Sequence, residues 1–301
     1  MKLLVTGATG QVGWEATRSL LPLGEVISVD RVHCDFSRPE SVALIVRKCK
    51  PDVIVNAAAY TAVDKAEKEE ILASIVNCKS VEVLAAEAKK IGALLIHYST
   101  DYVFDGAKTT PYVENDTPNP INAYGRSKLA GEIAIRTVAC DHVIFRTSWI
   151  FAARGQNFVQ TILRLARERE ELNIVADQFG APTGARTIAD STAHIIRQAQ
   201  HERIAGNFVS GTYHLTNAGV TNWHGFAQAI VRNASLHGLL DPDRLPKINP
   251  IPMSAYPLPA ARPANSRLSN TLLLKRFNLT LSAWEQALEC VLKDIARTEK
   301  T

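Results

Sequence analysis

Short apolar segments rich in β-branched residues alternate with stretches of helical period from residue 2 to about residue 176. The apolar segments are KLLVTG, EVISVD, DVIVNAAA, ALLIHYSTD and HVIFRTSWI, with LNIVAD as a sixth. Their nearly continuous apolar character is typical of strands covered on both faces. Between them, KSVEVLAAEAKKIG predicts a helix that ends at Gly92. The alternation predicts an α/β fold with a doubly wound parallel Rossmann sheet and right-handed crossovers.

After Asp177 the pattern changes to loops interleaved with helices. This part contains the helical stretch ADSTAHIIRQAQ, the strand-like GTYHLT and the proline-rich LPKINPIPMSAYPLPAARPANS. It predicts a smaller α/β C-terminal lobe that binds substrate. We therefore expect residues 1–176 to form a dinucleotide-binding Rossmann core and residues 177–301 to form mainly a substrate-binding lobe, packed as one unit.

Composition narrows the class of protein. Hydrophobic content of 46% with 21% charged residues is typical of a soluble globular chain. The net charge is only +4 without a dense basic run, so nucleic acid is not an expected partner. The N-terminus lacks the features of a signal peptide, and no apolar segment approaches the ~18 residues that span a membrane. The five scattered cysteines predict reduced thiols and a cytoplasmic location.

The first predicted strand is followed by a glycine turn. Gly7, Gly10 and Gly13 form a G-x-x-G-x-x-G pattern that opens a helix, and Asp30 ends the second strand. Such glycines permit a tight turn and close approach of the backbone to a pyrophosphate at the helix N-terminus. The order of strand, turn, helix and acidic residue predicts a dinucleotide site. A purely structural turn and an ordinary polar strand end are the alternatives.

The residues after the second strand leave the choice of cofactor open. Asp30 can accept a hydrogen bond from a ribose 2′-hydroxyl, which favours NADH, whereas Arg31 can pair with a 2′-phosphate, which favours NADPH. Asp35 and Phe36 are candidates to clamp the adenine. The segment NAAAYT, after the third strand, is expected to line the nicotinamide side of the cleft.

Tyr124 and Lys128, in NAYGRSKLAGE, lie one helical turn apart and therefore share a helix face. Thr100 and Asp101 end the fourth strand, at the carboxyl edge where open α/β folds bind ligands. These positions predict that Tyr124 protonates a carbonyl oxygen, that Lys128 lowers the pKa of the phenol and holds the nicotinamide ribose, and that Thr100 positions the substrate. An exposed helix start with no chemical role is the alternative.

The glycine turn, STD and YGRSK resemble the extended short-chain dehydrogenase/reductase superfamily. GQVGWE, NAAAYTAVDKAE, HYSTDYVFDG, FRTSWIF, DQFGAPTGA and RPANSRL resemble, within it, the dTDP-4-dehydrorhamnose reductase family. The resemblance implies reduction of the C4 ketone of dTDP-4-dehydro-6-deoxy-L-mannose to dTDP-L-rhamnose, with Tyr124, Lys128 and Thr100 catalytic and Asp101 and Trp149 at the sugar. The cofactor residues that it implies are Gly10, Gln11, Val12, Asp30, Asp35, Phe36, Ala59, Tyr60 and Thr61.

Two further sets of residues concern the diphosphate and a metal ion. Arg262, Arg267 and Arg154 are candidates to bind the substrate diphosphate, although each is as readily explained by a surface ion pair. The resemblance implies that some members hold Mg²⁺ at a dimer contact, with Glu15 and Asp294 as candidate ligands here, and it admits a homodimer. Arg186 follows GAPTGA where an acidic residue is expected. We therefore doubt a metal ion and expect Arg186 to bridge to Glu15 or Asp294.

Four other functions are alternatives to this reduction. A 4,6-dehydratase would need an acid after Asp101, and Tyr102 stands there instead. A nucleotide-sugar 4-epimerase or another 4-ketoreductase would share the site residues. A regulatory subunit like that of methionine adenosyltransferase would bind NADP and a partner enzyme without catalysis, a role that the complete Tyr124, Lys128 and Thr100 set disfavours. His97, within a strand, is expected to be a core residue and not a metal ligand.

Overall fold

The computed structural model describes residues 1–299; the last two residues of the predicted lobe lie outside that range. The strands are β1 (Lys2–Thr6), β2 (Glu25–Val29), β3 (Val53–Asn56), β4 (Leu94–Thr100), β5 (His142–Thr147), β6 (Ile150–Phe151), β7 (Glu171–Val175), β8 (Phe179–Gly180), β9 (Thr183–Gly184), β10 (Gly211–His214), β11 (Thr221–Asn222) and β12 (Lys247–Ile251). The helices are α1 (Gln11–Ser19), α2 (Pro39–Cys49), α3 (Val63–Ala66), α4 (Glu70–Ser74), α5 (Ser80–Ile91), α6 (Ala123–Val138), α7 (Phe158–Glu168), α8 (Ala185–Ile204), α9 (Trp223–Leu236), α10 (Thr271–Phe277) and α11 (Trp284–Thr298).

Within residues 1–299, the central sheet has six strands in the order β10-β5-β4-β3-β1-β2. All its neighbouring strands run parallel. The chain moves outward from β1 in one direction to β2 and in the other to β3, β4 and β5, so the topological switch point lies between β1 and β3. In open α/β sheets this point, at the carboxyl ends of the strands, is where ligands bind.

Helices cover both faces of the sheet, as the apolar strand pattern predicts. One buried cluster lies between the sheet and helices α1 and α8, and includes Leu3, Val55 and Ile188. A second lies under α2 and α5, and includes Ile54 and Leu84. Because residues along a strand alternate between faces, Leu3 and Leu4 contribute to opposite clusters. The prediction of a doubly wound α/β fold is confirmed.

One predicted strand occupies a different place. LNIVAD forms β7, which pairs with β12 in a separate two-stranded parallel sheet and not in the central sheet. The sixth central strand is β10, from GTYHLT, which pairs with β5. A short apolar segment predicts a strand, but its pairing partner depends on contacts distant in sequence, so the pattern alone placed LNIVAD wrongly.

The C-terminal part of the chain contributes to both units. Helix α8 packs on α1, and β10 extends the central sheet, although both follow residue 176. A third buried cluster, which includes Phe226, Ile230 and Leu288, joins α7, α9 and α11 into a lobe beside the sheet. A boundary at residue 176 between cofactor core and substrate lobe stays a prediction. No helix within residues 1–299 is long and apolar enough to cross a lipid bilayer.

Candidate active site

The glycine turn lies between β1 and α1, at the switch point of the sheet. Gly7 has φ of 70°, and a Cβ there would lie 2.6 Å from the backbone nitrogen of Ala58. A Cβ on Gly13 would lie 2.1 Å from the carbonyl oxygen of Gly7. A Cβ on Gly10 would meet only that oxygen, at 3.3 Å. The turn therefore requires glycine at two positions for its own packing, and its third glycine leaves the backbone at the start of α1 open to a phosphate.

The first two residues of α1 close one side of this turn. Val12 is buried in the core, and Gln11 Oε1 accepts a hydrogen bond of 3.0 Å from Asn157 Nδ2. Asn157 also caps α7, since its Oδ1 accepts from the backbone N–H of Gln160. The turn is thus tied to the segment that follows β6.

Asp30 and its neighbours lie after β2, beside the turn. Asp30 Oδ1 accepts from the backbone N–H groups of Val32 and His33 and lies 2.7 Å from His33 Nδ1. These contacts, the His33 side chain first, hold the pKa of Asp30 below its usual value. The side chain of Arg31 is 77% exposed and its Nε lies 3.5 Å from Asp35 Oδ1. Both predicted partners of the adenosine ribose therefore follow β2, and the Arg31 side chain is mostly exposed.

Phe36, predicted to contact the adenine, is a buried residue. Its side chain is only 4% exposed and belongs to the buried cluster under α2. A hydrophobic ring next to a strand packs into the core more readily than it stays on the surface. The contact of Phe36 with the adenine stays a prediction.

The loop after β3 carries the next cofactor candidates, Ala59, Tyr60 and Thr61. Asn77 fixes this loop, because its Oδ1 accepts from the Tyr60 N–H at 2.8 Å and its Nδ2 donates to the Tyr60 carbonyl oxygen at 3.0 Å and to Ser127 Oγ at 2.9 Å. Asn77 lies in a π-helical segment, Ile75–Lys79, a geometry that often marks functional sites. One side chain thus links the predicted nicotinamide loop to helix α6.

Helix α6 begins where several elements meet. Its N-cap, Asn122, accepts from the Gly125 N–H at 2.7 Å and donates to the Ala261 carbonyl oxygen at 2.8 Å. A Cβ on Gly125 would lie 2.1 Å from the Tyr102 carbonyl oxygen, so only glycine permits this close approach of the helix to the end of β4. These contacts set the position of Tyr124, in the first turn of the helix.

Tyr124 faces the end of β4, as predicted. Its phenol lies beside the Thr100 hydroxyl, which donates to Asp101 Oδ1 at 3.0 Å. Burial raises the pKa of Tyr124 above its usual value, and Thr100 offsets this only in part. Burial also raises the pKa of Asp101 to about 6, and its Oδ2 has no hydrogen-bond partner within residues 1–299. The arrangement presents a protonated phenol and an unsatisfied carboxyl oxygen at one strand end.

Lys128 lies one turn further along α6 and is 2% exposed. Its Nζ donates to the Tyr98 carbonyl oxygen at 2.6 Å and lies 3.4 Å from His97 Nε2. Burial lowers the pKa of Lys128 to about 8. The expected lowering of the Tyr124 pKa by Lys128 is not found, because burial dominates the phenol and the amine is engaged with β4.

Comparison with known proteins agrees with this geometry. A family model described as the RmlD substrate binding domain matches residues 1–297. The dTDP-4-dehydrorhamnose reductase of Burkholderia thailandensis is 57% identical over 295 residues, covering 98% of this chain and 99% of the relative. That of Escherichia coli K12 is 48% identical over 303 residues, covering 99% of each.

A solved structure gives the same result. The crystal structure of dTDP-4-dehydrorhamnose reductase from Bacillus anthracis in complex with NADP superimposes with a TM-score of 0.86 at 34% identity, covering 97% of this chain and 99% of that one. The chain belongs to the dTDP-4-dehydrorhamnose reductase family. The family predicted from the sequence motifs is thereby confirmed.

In this family member, Trp149 follows β5 in a left-handed backbone conformation, with φ of 47°. Its indole stacks on Trp223 with ring centroids 3.6 Å apart, and a Cβ on Gly180 would lie 2.6 Å from Trp149 Cε2. Trp223 Nε1 donates to Gln178 Oε1 at 3.1 Å. A strained aromatic residue held by packing on both sides is typical of a binding site. The structure thus places the predicted sugar contact on a wall shared with the C-terminal lobe.

The predicted diphosphate arginines already have partners. Arg262 forms a bidentate ion pair with Asp64 at 2.7 and 2.9 Å, and its side chain is 13% exposed. Arg267 Nε donates to Asn265, and the guanidinium of Arg154 stacks 3.8 Å from the ring centroid of Trp14. An ion pair was the alternative explanation for Arg262, and the structure favours it in the conformation described.

Arg186 bridges the two candidate metal ligands, as expected. It lies 3.4 Å from Glu15 and 2.9 Å from Asp294. A guanidinium between two carboxylates supplies the positive charge that a divalent ion would bring. No group of three or more metal-ligating side chains occurs in the described part of the chain.

The sequence did not predict the residues that pack beneath the site. Asn77 gave no signal, because an asparagine within a helical stretch does not reveal a π-helical turn. The ion pair of Glu132 and Arg146 was not predicted either. Both residues are buried, and the nearest charged atoms of the two side chains are 2.7 Å apart. The spacing of Tyr124, Lys128 and Glu132, each four residues apart, is the one pattern in the sequence that points to a polar face on α6.

Proposed function

We propose that this chain reduces the C4 ketone of dTDP-4-dehydro-6-deoxy-L-mannose to dTDP-L-rhamnose, with NADPH or NADH as the reductant. Family membership supports the reaction, because relatives up to 57% identical over nearly the full chain bear that reductase name. The observation that carries the proposal is the placement of the Tyr124 phenol beside the Thr100 hydroxyl at the end of β4, with Lys128 one turn further along α6.

The cofactor fits the turn between β1 and α1. Gly7 and Gly13 form a close-packed cradle that any Cβ would fill, and Gly10 opens it toward a pyrophosphate. The complex of the B. anthracis relative contains NADP, which supports NADPH here. Arg31 is the candidate for the 2′-phosphate, while Asp30 is the candidate for a ribose hydroxyl. When bound, the reduced nicotinamide supplies the hydride.

The chain's own residues supply the proton and the orientation. Because the pKa of Tyr124 is raised, the phenol remains protonated at neutral pH and is ready to donate its proton to the C4 oxygen. Thr100 holds that hydroxyl in place. Lys128 shares the helix face of Tyr124, one turn along α6, and is the candidate to hold the nicotinamide ribose. Asp101 Oδ2 lacks a hydrogen-bond partner within residues 1–299 and is the candidate to accept a hydrogen bond from a sugar hydroxyl.

The substrate would lie between the strand ends and the lobe. Trp149 is the candidate wall for the sugar. Arg262 would reach the diphosphate only if its ion pair with Asp64 opened. The Arg186 bridge supports a reaction that does not use a metal ion. A homodimer, the lack of nucleic-acid binding and a cytoplasmic location remain predictions from the sequence.

Replacement of Tyr124 by phenylalanine tests the proposal. Turnover of NADPH with the dTDP-linked 4-keto sugar should fall by ~10²- to 10⁴-fold, because a general acid supplies about that factor. The dissociation constant for NADPH, measured by fluorescence, should stay nearly unchanged. Tyr213→Phe is the matched control, since it removes a buried phenol from β10, at the far edge of the sheet.

Normal turnover of Tyr124→Phe would show that the proton comes from elsewhere. A parallel assay with UDP-linked 4-keto sugars reports the base preference. If the wild-type protein oxidises no cofactor with either sugar but binds a methionine adenosyltransferase in a pull-down, the regulatory alternative is correct.

A further inference from the structure

Three buried polar side chains form a row across the central sheet. Thr6, Asn56 and His97 are register partners on β1, β3 and β4. Their residues are 0%, 1% and 0% exposed. Residues two positions earlier in each strand belong to the cluster under α2 and α5, so the row faces the helical layer that contains α6. The row therefore runs from the glycine turn toward Lys128, inside the protein.

The backbone fixes the orientation of the Asn56 amide. Asn56 Oδ1 accepts from the Ala58 N–H at 3.2 Å and from Thr6 Oγ1 at 2.7 Å. A backbone N–H can only donate, so the atom that faces it must be the amide oxygen. The amide nitrogen therefore faces His97, and its distance to His97 Nδ1 is 3.0 Å.

This orientation selects one tautomer of His97. An amide nitrogen only donates, so His97 Nδ1 must accept and carries no proton. Burial, together with the charge of Lys128, holds the pKa of His97 well below its usual value, so the ring is neutral. A neutral imidazole has one N–H, which must then be on Nε2. That nitrogen is the atom that lies 3.4 Å from Lys128 Nζ.

We propose that His97 is a positioning residue for Lys128. Asn56 fixes the imidazole proton on Nε2, so this N–H faces the lysine nitrogen. It favours the uncharged amine of Lys128 and directs the ammonium form away from the sheet. This inference rests on the proposed function, because Lys128 matters to catalysis only there. The geometry leaves no acceptor on His97 for an ammonium N–H. The amine, by contrast, has a lone pair that can accept from Nε2–H while the nitrogen donates to the Tyr98 carbonyl oxygen.

The other titratable groups around Lys128 do not replace this effect. On α6, the carboxylate of Glu132 favours the ammonium, and Tyr124 is neutral at ordinary pH. On β5, His142 lies near His97, and burial lowers its pKa too, so it adds no fixed charge at neutral pH. Because the pKa of Lys128 is about 8, the His97 N–H that faces its nitrogen changes the fraction of Lys128 that is charged during turnover at neutral pH.

Three variants separate the hydrogen bond from simple packing. His97→Asn retains an acceptor near the position of Nδ1 but lacks a donor toward Lys128. His97→Gln places an amide N–H near the position of Nε2 and serves as the conservative rescue. Asn56→Asp makes no cavity at His97; its carboxylate accepts from Nδ1, which moves the imidazole proton and turns the Nε2 lone pair toward Lys128.

The tautomer and the lysine can both be observed without catalysis. In the full-length protein labelled with ¹⁵N in the histidine rings, we expect the His97 shifts of a protonated Nε2 and an unprotonated Nδ1, with and without NADPH. In protein labelled with ¹³C-lysine, the Lys128 signal, assigned by its loss in Lys128→Met, reports the lysine titration. His97→Asn and Asn56→Asp should raise its midpoint by about one pH unit, a tenfold change in the proton equilibrium. His97→Gln should stay close to wild type.

Turnover provides the second readout. The alkaline limb of kcat/KM against pH should move upward in His97→Asn and Asn56→Asp, in step with the lysine titration, and return in His97→Gln. An Nδ1–H tautomer in the wild-type spectrum would overturn the proposal, as would lysine titrations in His97→Asn and Asn56→Asp that coincide with wild type. If His97→Asn does not fold, the lysine titration of Asn56→Asp and the histidine spectrum of the wild-type protein still test the proposal. If wild type does not reduce the sugar, the proposed function fails, while both spectra still test the His97 contact.

Discussion

The buried ion pair beneath the site allows a quantitative prediction. Glu132 accepts hydrogen bonds from Ser99 Oγ at 2.6 Å and from Arg146 Nε and Nη2 at 3.0 and 2.7 Å. The side chains of Glu132 and Arg146 are 0% and 3% exposed. Burial opposes the charge of Glu132, but the hydrogen bonds and charge of Arg146 outweigh it, and the pKa of Glu132 lies below its usual value. The pair is therefore ionised in the folded protein.

Glu132→Gln keeps the shape of the side chain and removes its charge, which leaves the guanidinium of Arg146 buried without the carboxylate that it pairs with. Removing one partner of a buried pair costs ~3–5 kcal/mol of unfolding free energy. The matched control is Glu168→Gln, which breaks the pair of Arg164 and Glu168, whose side chains are 60% and 50% exposed. An exposed pair of this kind contributes ~0–1 kcal/mol.

Urea unfolding, followed by circular dichroism at neutral pH, measures both losses, provided that the slope with denaturant is unchanged. Replacing Arg146 by methionine in the Glu132→Gln background should recover part of the loss, because it removes the unpaired cation. A loss in Glu132→Gln no larger than in the control would refute the reasoning. So would a double variant that is no more stable than Glu132→Gln alone.

Three further changes test other parts of the structure. Gly13→Ala places a Cβ 2.1 Å from the Gly7 carbonyl oxygen, so it should cost ~1–3 kcal/mol of stability and weaken NADPH binding in a fluorescence titration; an unchanged dissociation constant would contradict the assigned turn. Gly180→Ala should displace the Trp149 indole, 2.6 Å from the added Cβ, and raise KM for the sugar without changing NADPH affinity; equal loss of both would contradict a sugar-specific wall. Hydrogen bonds from Arg47 lower the pKa of Glu87 to about 2 from 4.5, so its stabilisation is present above about pH 4.5 and is lost as pH falls toward 2. Urea midpoints of Glu87→Gln should therefore lie below wild type at pH 7 and approach it in acid, whereas a constant gap would exclude this linkage.

The elements with local signals could be predicted from the sequence. The glycine turn, the strands and the helix that ends at Gly92 depend on neighbouring residues, and the structure contains all of them. Membership in a sheet depends on distant pairing instead. LNIVAD and GTYHLT are similar short segments, yet only the second reaches an open edge of the central sheet, beside β5.

The same distinction applies to the site. Tyr124 and Thr100 could be placed together because a strand end and a helix start are both visible in the sequence. The partner of each charged group could not be predicted, because a charge pattern does not show which residues face each other. Arg262 pairs with Asp64 and Lys128 turns toward His97 through contacts that connect residues far apart in the chain.

Helix α6 connects stability to chemistry through one face. Tyr124, Lys128 and Glu132 follow one another at intervals of one turn, and the exposed fraction of the residue falls along them from a half-buried tyrosine to a fully buried glutamate. The deepest of the three anchors the helix to β4 and β5 through Ser99 and Arg146, while the outermost meets the strand end through Thr100. A helix moves largely as a rigid body, so a shift at its buried anchor changes the distance at its catalytic turn. Glu132→Gln should therefore lower kcat as well as stability, although Glu132 lies two turns from the phenol and is not expected to touch the substrate.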